Sequence, residues 1–153
     1  MFTLTDIKNV AIQIEKNGEK TYREAAEKAA DPAISKVLHR MADDEKRHAA
    51  WLAAIPVTKE TTEEQRELEA AGKTILQEMV RDKTFSLDAE KLADSADLKE
   101  LFSQSLGFEE DTILFYEMLS SFIEDEEAQK KFALILEEEK SHCLELELLL
   151  ADT

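Results

Sequence analysis

A chain of 153 residues has room for one apolar core of ordinary size. Only 3 glycines and 2 prolines occur, too little turn chemistry for a many-stranded sandwich or barrel. The formal charge of −16, from 35 acidic and 19 basic groups, argues against nucleic acid or an anionic membrane surface as partner and favours cations.

The chain starts Met1-Phe2-Thr3-Leu4-Thr5-Asp6, without the basic start and apolar run of a secretory signal, and a cytoplasmic location is expected. A first helix is predicted from about Thr3 or Thr5 to Ala30, with a core stripe Ile7, Ala11, Ile14, Gly18, Tyr22, Ala25 and Ala29. Asp31-Pro32, an N-cap acceptor before a proline at the first helical position, opens a second helix that ends before Pro56. Its stripe is Ile34, Leu38, Met41 and Leu52. A polar linker over 56–62 leads to a helix from about Glu63 to Arg81, then a short irregular piece around Lys83 to Ser95. The fourth helix starts near Asp97 with Leu98, Leu101, Phe108, Phe115, Leu119 and Phe122 inward. The fifth follows Asp125 and reaches Leu150, with Phe132, Ile135, Leu146 and Leu149 inward. No stretch reaches the 18 consecutive apolar residues of a membrane span, so no membrane is expected as partner.

A shift of 94 residues superposes Ile14 and Glu15 on Phe108 and Glu109, Tyr22 on Tyr116, Asp31 on Asp125, and Glu45 and His48 on Glu139 and His142. Two copies of one helical hairpin, about 1–55 and 96–151, are therefore expected in a single domain spanning 1–153. They are related by a pseudo-twofold axis and joined by a crossover over about 56–95. The resulting fold class is all-α, a four-helix bundle with a long helical crossover.

Polar residues interrupt the stripes. Glu45 and His48 lie between Met41 and Leu52, and Glu139 and His142 between Ile135 and Leu146. Glu15 adjoins Ile14, and Glu109 adjoins Phe108. Four carboxylates and two imidazoles thus point at the common core. Each desolvated ion costs several kcal/mol, and the stripes contain no Lys or Arg to pair with them. Two divalent cations would neutralise the four carboxylates, whereas protonation would require strongly raised pKa values for several neighbours. In Glu-x-x-His the i and i+3 side chains share a helix face, so both reach one ion. One Glu from each of two helices, with Glu-x-x-His from each of the others, is the donor set of carboxylate-bridged dinuclear bundles. It suits iron or manganese and tolerates zinc. The expected metal ligands are Glu15, Glu45, His48, Glu109, Glu139 and His142.

Two readings stand for Tyr22 and Tyr116: ordinary core aromatics with hydrogen-bonded hydroxyls, or hydroxyls that bond a glutamate of the other hairpin and hold it in place. His39 is expected at the surface, Cys143 as a packed thiol turned away from the ligands, and Trp51 at the core border or a subunit contact. The acidic run 124–127 reads as a helix N-terminus favoured by the dipole. Three histidines are too few for a hemerythrin-type oxygen carrier.

Nearly the whole chain resembles the rubrerythrin-like branch of the ferritin superfamily. The likeness is carried by Ile14-Glu15-Lys16-Asn17-Gly18-Glu19-Lys20-Thr21-Tyr22 and Asp43-Asp44-Glu45-Lys46-Arg47-His48, repeated as 108–116 and 137–142. The resemblance implies two iron ions, bridged by Glu45 and Glu139, with Glu15 and Glu109 as terminal carboxylates and His48 and His142 as nitrogen ligands. It further implies a reaction of ferrous iron with hydrogen peroxide or oxygen as small oxidant, and a homodimer. Ferroxidase or iron-binding activity, and a redox-inert structural metal bundle, are the alternatives. Two departures stand out. Full-length rubrerythrins carry a rubredoxin-like domain with four cysteine ligands, whereas Cys143 is alone here, so an external electron donor such as a rubredoxin-like protein is expected. Peroxidase members also carry an extra glutamate one turn beyond the fourth-helix ligand, where this chain has Thr112.

Overall fold

The computed structural model describes residues 3–57, 89–95 and 97–151, together with residues 63, 66, 67, 70, 71, 74 and 78. Helix α1 spans Leu4–Lys28 and opens on a reciprocal cap. The Asp6 amide donates to Thr3 Oγ1 and the Thr3 amide to Asp6 Oδ2, both at 3.1 Å. Helix α2 spans Pro32–Ala53, with the Asp31 carboxylate accepting from the Ala33 amide. It stops one turn before Pro56, where Lys8 Nζ reaches across from α1 to the free carbonyls of Ala53 and Ile55. Helix α3, Ala89–Ala93, is a correction to the irregular piece expected over 83–95. This one-and-a-half-turn helix buries Leu92 completely, too short an element for periodicity to reveal. Helix α4, Leu98–Ser120, is capped by Asp97, and α5 spans Glu126–Ala151. The described positions between 63 and 78 are helical, and the remainder of the helix expected over 63–81 lies outside the described residues. Among the described residues there is no strand, and no helix is long and apolar enough to cross a membrane.

Helices α1 and α2 form one hairpin and α4 and α5 the other, with α2 against α5 and α1 against α4 across the bundle. The all-α four-helix bundle expected from the duplicated stripes is the fold observed. Its core has three layers. One apolar cluster joins Ile7, Ile14, Leu52, Phe115, Leu119, Phe132 and Ile135. A second joins Ala25, Ile34, Leu38, Met41, Leu92, Leu101 and Leu146. On α1, α2 and α5 the buried glutamate falls between the positions given to these two clusters, and on α4 Glu109 directly follows Phe108 of the first, so the charged residues form a layer between the two clusters.

The outer faces of the hairpins differ. Leu114, Leu134, Leu144 and Leu148 of the second hairpin are all more than half exposed, and a groove of about 450 Å³ lies beside Leu114 and Leu144. His39 is exposed, as its offset from the Leu38 stripe implied.

Candidate metal centre

The middle layer brings together all six donors expected from the sequence. Glu15, Glu45, Glu109 and Glu139 are each at most 1 % exposed, and His48 is equally buried. They form two groups, Glu15 with Glu45 and His48, and Glu109 with Glu139 and His142. Within each, one donor atom per residue lies within 4.8 Å of the others. The groups adjoin: His48 Nδ1 lies 2.8 Å from Glu139 Oε1 and 3.7 Å from Glu15 Oε2. His142 Nδ1 lies 3.4 Å from Glu109 Oε1. The helical periodicity of α2 and α5 places each histidine one turn beyond its glutamate on the same face.

The hydrogen-bond inventory shows what this layer suits. Both oxygens of Glu109 and of Glu139, one each of Glu15 and Glu45, and Nδ1 of both histidines are buried without an aligned hydrogen-bond partner in the chain. Even the 2.8 Å His48–Glu139 approach lacks hydrogen-bond alignment. Buried polar atoms are ordinarily paired, and an orphan costs about 1–3 kcal/mol. Lone pairs converging from six side chains, with no Lys or Arg among them, fit a pair of cations better than any internal network. The donor set is thus compatible with a di-metal centre.

The proton energetics agree. Burial, then the Glu139 charge, pushes Glu15 up to about 7. Burial and Glu139 likewise push Glu109 up to about 8. Glu45 is raised well above the ordinary carboxylate range by burial and by Glu15 and Glu109. Burial opposes the charged imidazoles, yet carboxylates outweigh it: Glu139 and Glu15 hold His48 at about 10, and Glu109 holds His142 at about 9. Burial would raise Glu139 too, but the close approach of His48, chiefly, and its charge draw it down to about 2. Without metal the layer therefore traps protons on Glu15, Glu45, Glu109 and both imidazoles, which divalent cations would displace.

The two tyrosines part company. Tyr116 Oη donates to Glu15 Oε1 at 2.8 Å and approaches the Ala11 carbonyl at 3.2 Å, the cross-hairpin bond that was one of the two sequence readings. Tyr22, its counterpart, makes no such bond; its buried hydroxyl has no aligned partner and its ring packs edge-on against Phe108. Tyr22 is packed as a core aromatic, without the hydrogen-bonded hydroxyl that either reading expects. Burial raises both phenols well above 10, Tyr22 also through Glu109 and Tyr116 also through Glu15, so both keep their protons. Cys143 is a packed thiol pushed up to about 12 by burial and by Glu109.

Three neighbours escaped sequence reasoning. Asp44 Oδ2 stands 3.9 Å from His142 Nε2, a contact between hairpins that no local pattern encodes. Trp51 packs its ring on His48 at 5.5 Å between centroids while 41 % exposed. Gly18 is the third, and its signal was readable: a glycine inside a helix stripe, one turn after Glu15. A Cβ there would stand 3.0 Å from Glu45 Oε2, so the glycine gives that carboxylate its room. Gly18→Ala is expected to stabilise the metal-free helix by up to ~1 kcal/mol while weakening metal binding, because a metal-held Glu45 cannot step aside. Thermal melts of metal-free protein and competition with a chromophoric chelator check the two signs.

Against this geometry, the family comparison is decisive: a model described as rubrerythrin matches residues 6–150. The chain belongs to the rubrerythrin family. Comparisons with curated proteins and with solved structures give no match. The rubrerythrin match spans both hairpins and all six donors, consistent with one dinuclear layer rather than two unrelated acidic clusters. Within this rubrerythrin-family chain Thr112 is buried one turn beyond Glu109 and donates to the Phe108 carbonyl at 2.9 Å, so the position supplies no carboxylate to the layer.

Proposed function

We propose that this protein is a di-iron carboxylate oxidoreductase that reacts ferrous iron with hydrogen peroxide or oxygen. The observation carrying the reading is the convergence of four buried carboxylates and two imidazoles with no Lys or Arg among them. Iron held there supplies the electrons and the Lewis acidity; the chain's residues bind, orient and insulate. Glu45 and Glu139, one from each hairpin and both next to a histidine of their own helix, are the bridging candidates. Glu15 and Glu109 are the terminal carboxylates, and His48 and His142 offer Nδ1. Tyr116 keeps its proton and fixes the Glu15 carboxylate. The two apolar clusters keep bulk water from the layer. Reduction of the oxidised form is assigned to an external donor, because one cysteine cannot build a four-thiolate centre within these residues. A cytoplasmic homodimer belongs to the same proposal.

Thr112 favours a second reading, iron oxidation for binding or storage. One experiment separates the two. Protein loaded anaerobically with two equivalents of ferrous iron is mixed with one equivalent of peroxide or with oxygen, and iron oxidation is followed by absorbance. The oxidoreductase reading expects one peroxide consumed per two irons, with two protons taken up and two waters formed. It also expects repeated cycles when a reductant is added. Repeated with ferrous iron in large excess, retention of ferric iron far beyond two equivalents indicates storage. Iron oxidised no faster than in buffer defeats both.

A further inference from the structure

The duplicated hairpins supply matched ligands, yet several of the groups around the ligands depart from the duplication. In the first group, Glu15 is tied by the Tyr116 hydroxyl, and the His48 ring lies under Trp51 and is 1 % exposed. Arg47 in turn covers the indole, 5.4 Å above its ring. In the second group, neither oxygen of Glu109 has an aligned hydrogen-bond partner and the Tyr22 hydroxyl, which would match Tyr116, does not bond it. The residue at the Trp51 position of the second hairpin is Glu145, whose side chain is 59 % exposed, so no ring covers His142. The His142 side chain is 11 % exposed at the floor of a cleft of about 260 Å³ between α2 and α5. Asp44, Glu138 and the 1 % exposed His48 line that cleft as well, so the two histidines differ there in exposure, and Asp44 Oδ2 is 3.9 Å from His142 Nε2.

We propose that the two metal positions are kinetically unequal: the Glu15–Glu45–His48 position retains its ion beneath Trp51, whereas the Glu109–Glu139–His142 position exchanges its ion through the α2–α5 cleft. This rests on the di-metal reading above. A ligand leaves an ion one donor at a time, and each donor that is tied or covered must first break a second contact. Glu15 and His48 carry such contacts; in the second group His142 has Asp44 at 3.9 Å, whereas Glu109 has no aligned hydrogen bond. An ion released at His142 next meets the carboxylates of Asp44 and Glu138 on the cleft wall, oxygen donors suited to a hard divalent cation. Arg47 bonds both, at 3.0 and 3.6 Å, and must swing away for either to accept the ion.

The test is metal release from the full chain loaded with two equivalents of cobalt(II) and challenged with excess chelator, followed by cobalt absorbance. Two phases of equal amplitude are expected, separated by at least ~10-fold, the scale of groups that support ligands. Trp51→Ala is expected to speed the slow phase alone and Trp51→Phe to restore it. Trp51 is the single tryptophan, so its fluorescence gives a second readout: the first equivalent added should quench it more than the second. One phase for both ions, equal acceleration of both phases, or equal quenching by each equivalent overturns the inequality and leaves the dinuclear reading standing. Failure to bind two equivalents overturns both.

Discussion

Two equivalents of divalent metal should raise the thermal midpoint by on the order of 20 °C near neutral pH, and the gain should grow with pH while the metal-free protein weakens. Binding to the folded state alone contributes about 4 kcal/mol per ion at a thousandfold excess over Kd. In a chain of this size each kcal/mol moves the midpoint by roughly 2–4 °C. The pH dependence follows from protons held in the folded layer. Glu15 and Glu109, raised from 4.5 to about 7 and about 8, bind protons when folded that they release when unfolded. Their contribution is complete below pH 4.5 and is lost as pH rises through 7 to 8. Glu45 acts in the same direction. The histidines, raised from 6.5 to about 10 and about 9, extend the loss upward. Glu139 has the opposite sign: lowered to about 2, it contributes above pH 4.5 and is lost only as pH falls toward 2. Metal-free protein should therefore lose stability between pH 5 and 8, the interval in which cations increasingly win the same oxygens. Melts with and without zinc(II) at pH 5, 6.5 and 8 measure both trends. Metal-free stability that is flat or rising over that range would contradict the proton-filled layer.

What the sequence could and could not reveal divides along the range of the interactions. The bundle and the six donors were legible because each signal is local: a 3–4 residue stripe, a Glu-x-x-His inside it, and a 94-residue repeat of both. The repeat was less faithful as a guide to the surroundings. Tyr22 and Tyr116 match in register, yet only Tyr116 reaches a glutamate. Their settings differ at positions where the duplication itself has diverged, Ala11 against Ser105 and Gly18 against Thr112. Ser105 points its hydroxyl at Met41 Sδ, 3.7 Å away, and Thr112 is bonded to its own helix. Asp44 beside His142, and Trp51 over His48 yet partly in solvent, depend on how two hairpins meet, which helical periodicity does not contain. The exposed leucines of α4 and α5 show the converse limit: apolar residues outside the stripes broaden the pattern and blur which face turns inward.

The sharpest consequence of the layer is that its two bridging candidates, equivalent by duplication, should respond oppositely to one substitution. Glu45→Gln removes a carboxylate whose ionised form burial and two neighbouring glutamates disfavour. The metal-free protein should become more stable at pH 8, by roughly 1–3 kcal/mol, because folding there no longer has to bind a proton that the unfolded carboxyl has released. Glu139→Gln removes the one carboxylate that is held ionised, the close neighbour of His48 at 2.8 Å. That leaves a buried imidazolium facing an amide, and breaking a buried pair from one side costs about 3–5 kcal/mol. Each substitution nonetheless deletes a donor from the dinuclear set, so each should lower metal affinity by at least ~100-fold, the upper end for groups that merely support ligands. Denaturant unfolding of the two metal-free variants beside the parent, with chelator competition for their affinities, gives all four signs. If both variants moved metal-free stability the same way, the division into proton-holding Glu45 and ionised Glu139 would be wrong. If either retained parental affinity, that glutamate would not be a ligand. A gain in metal-free stability from Glu45→Gln, paired with loss of metal, would mean that the native glutamate costs the bare fold stability and is retained for the ions it holds.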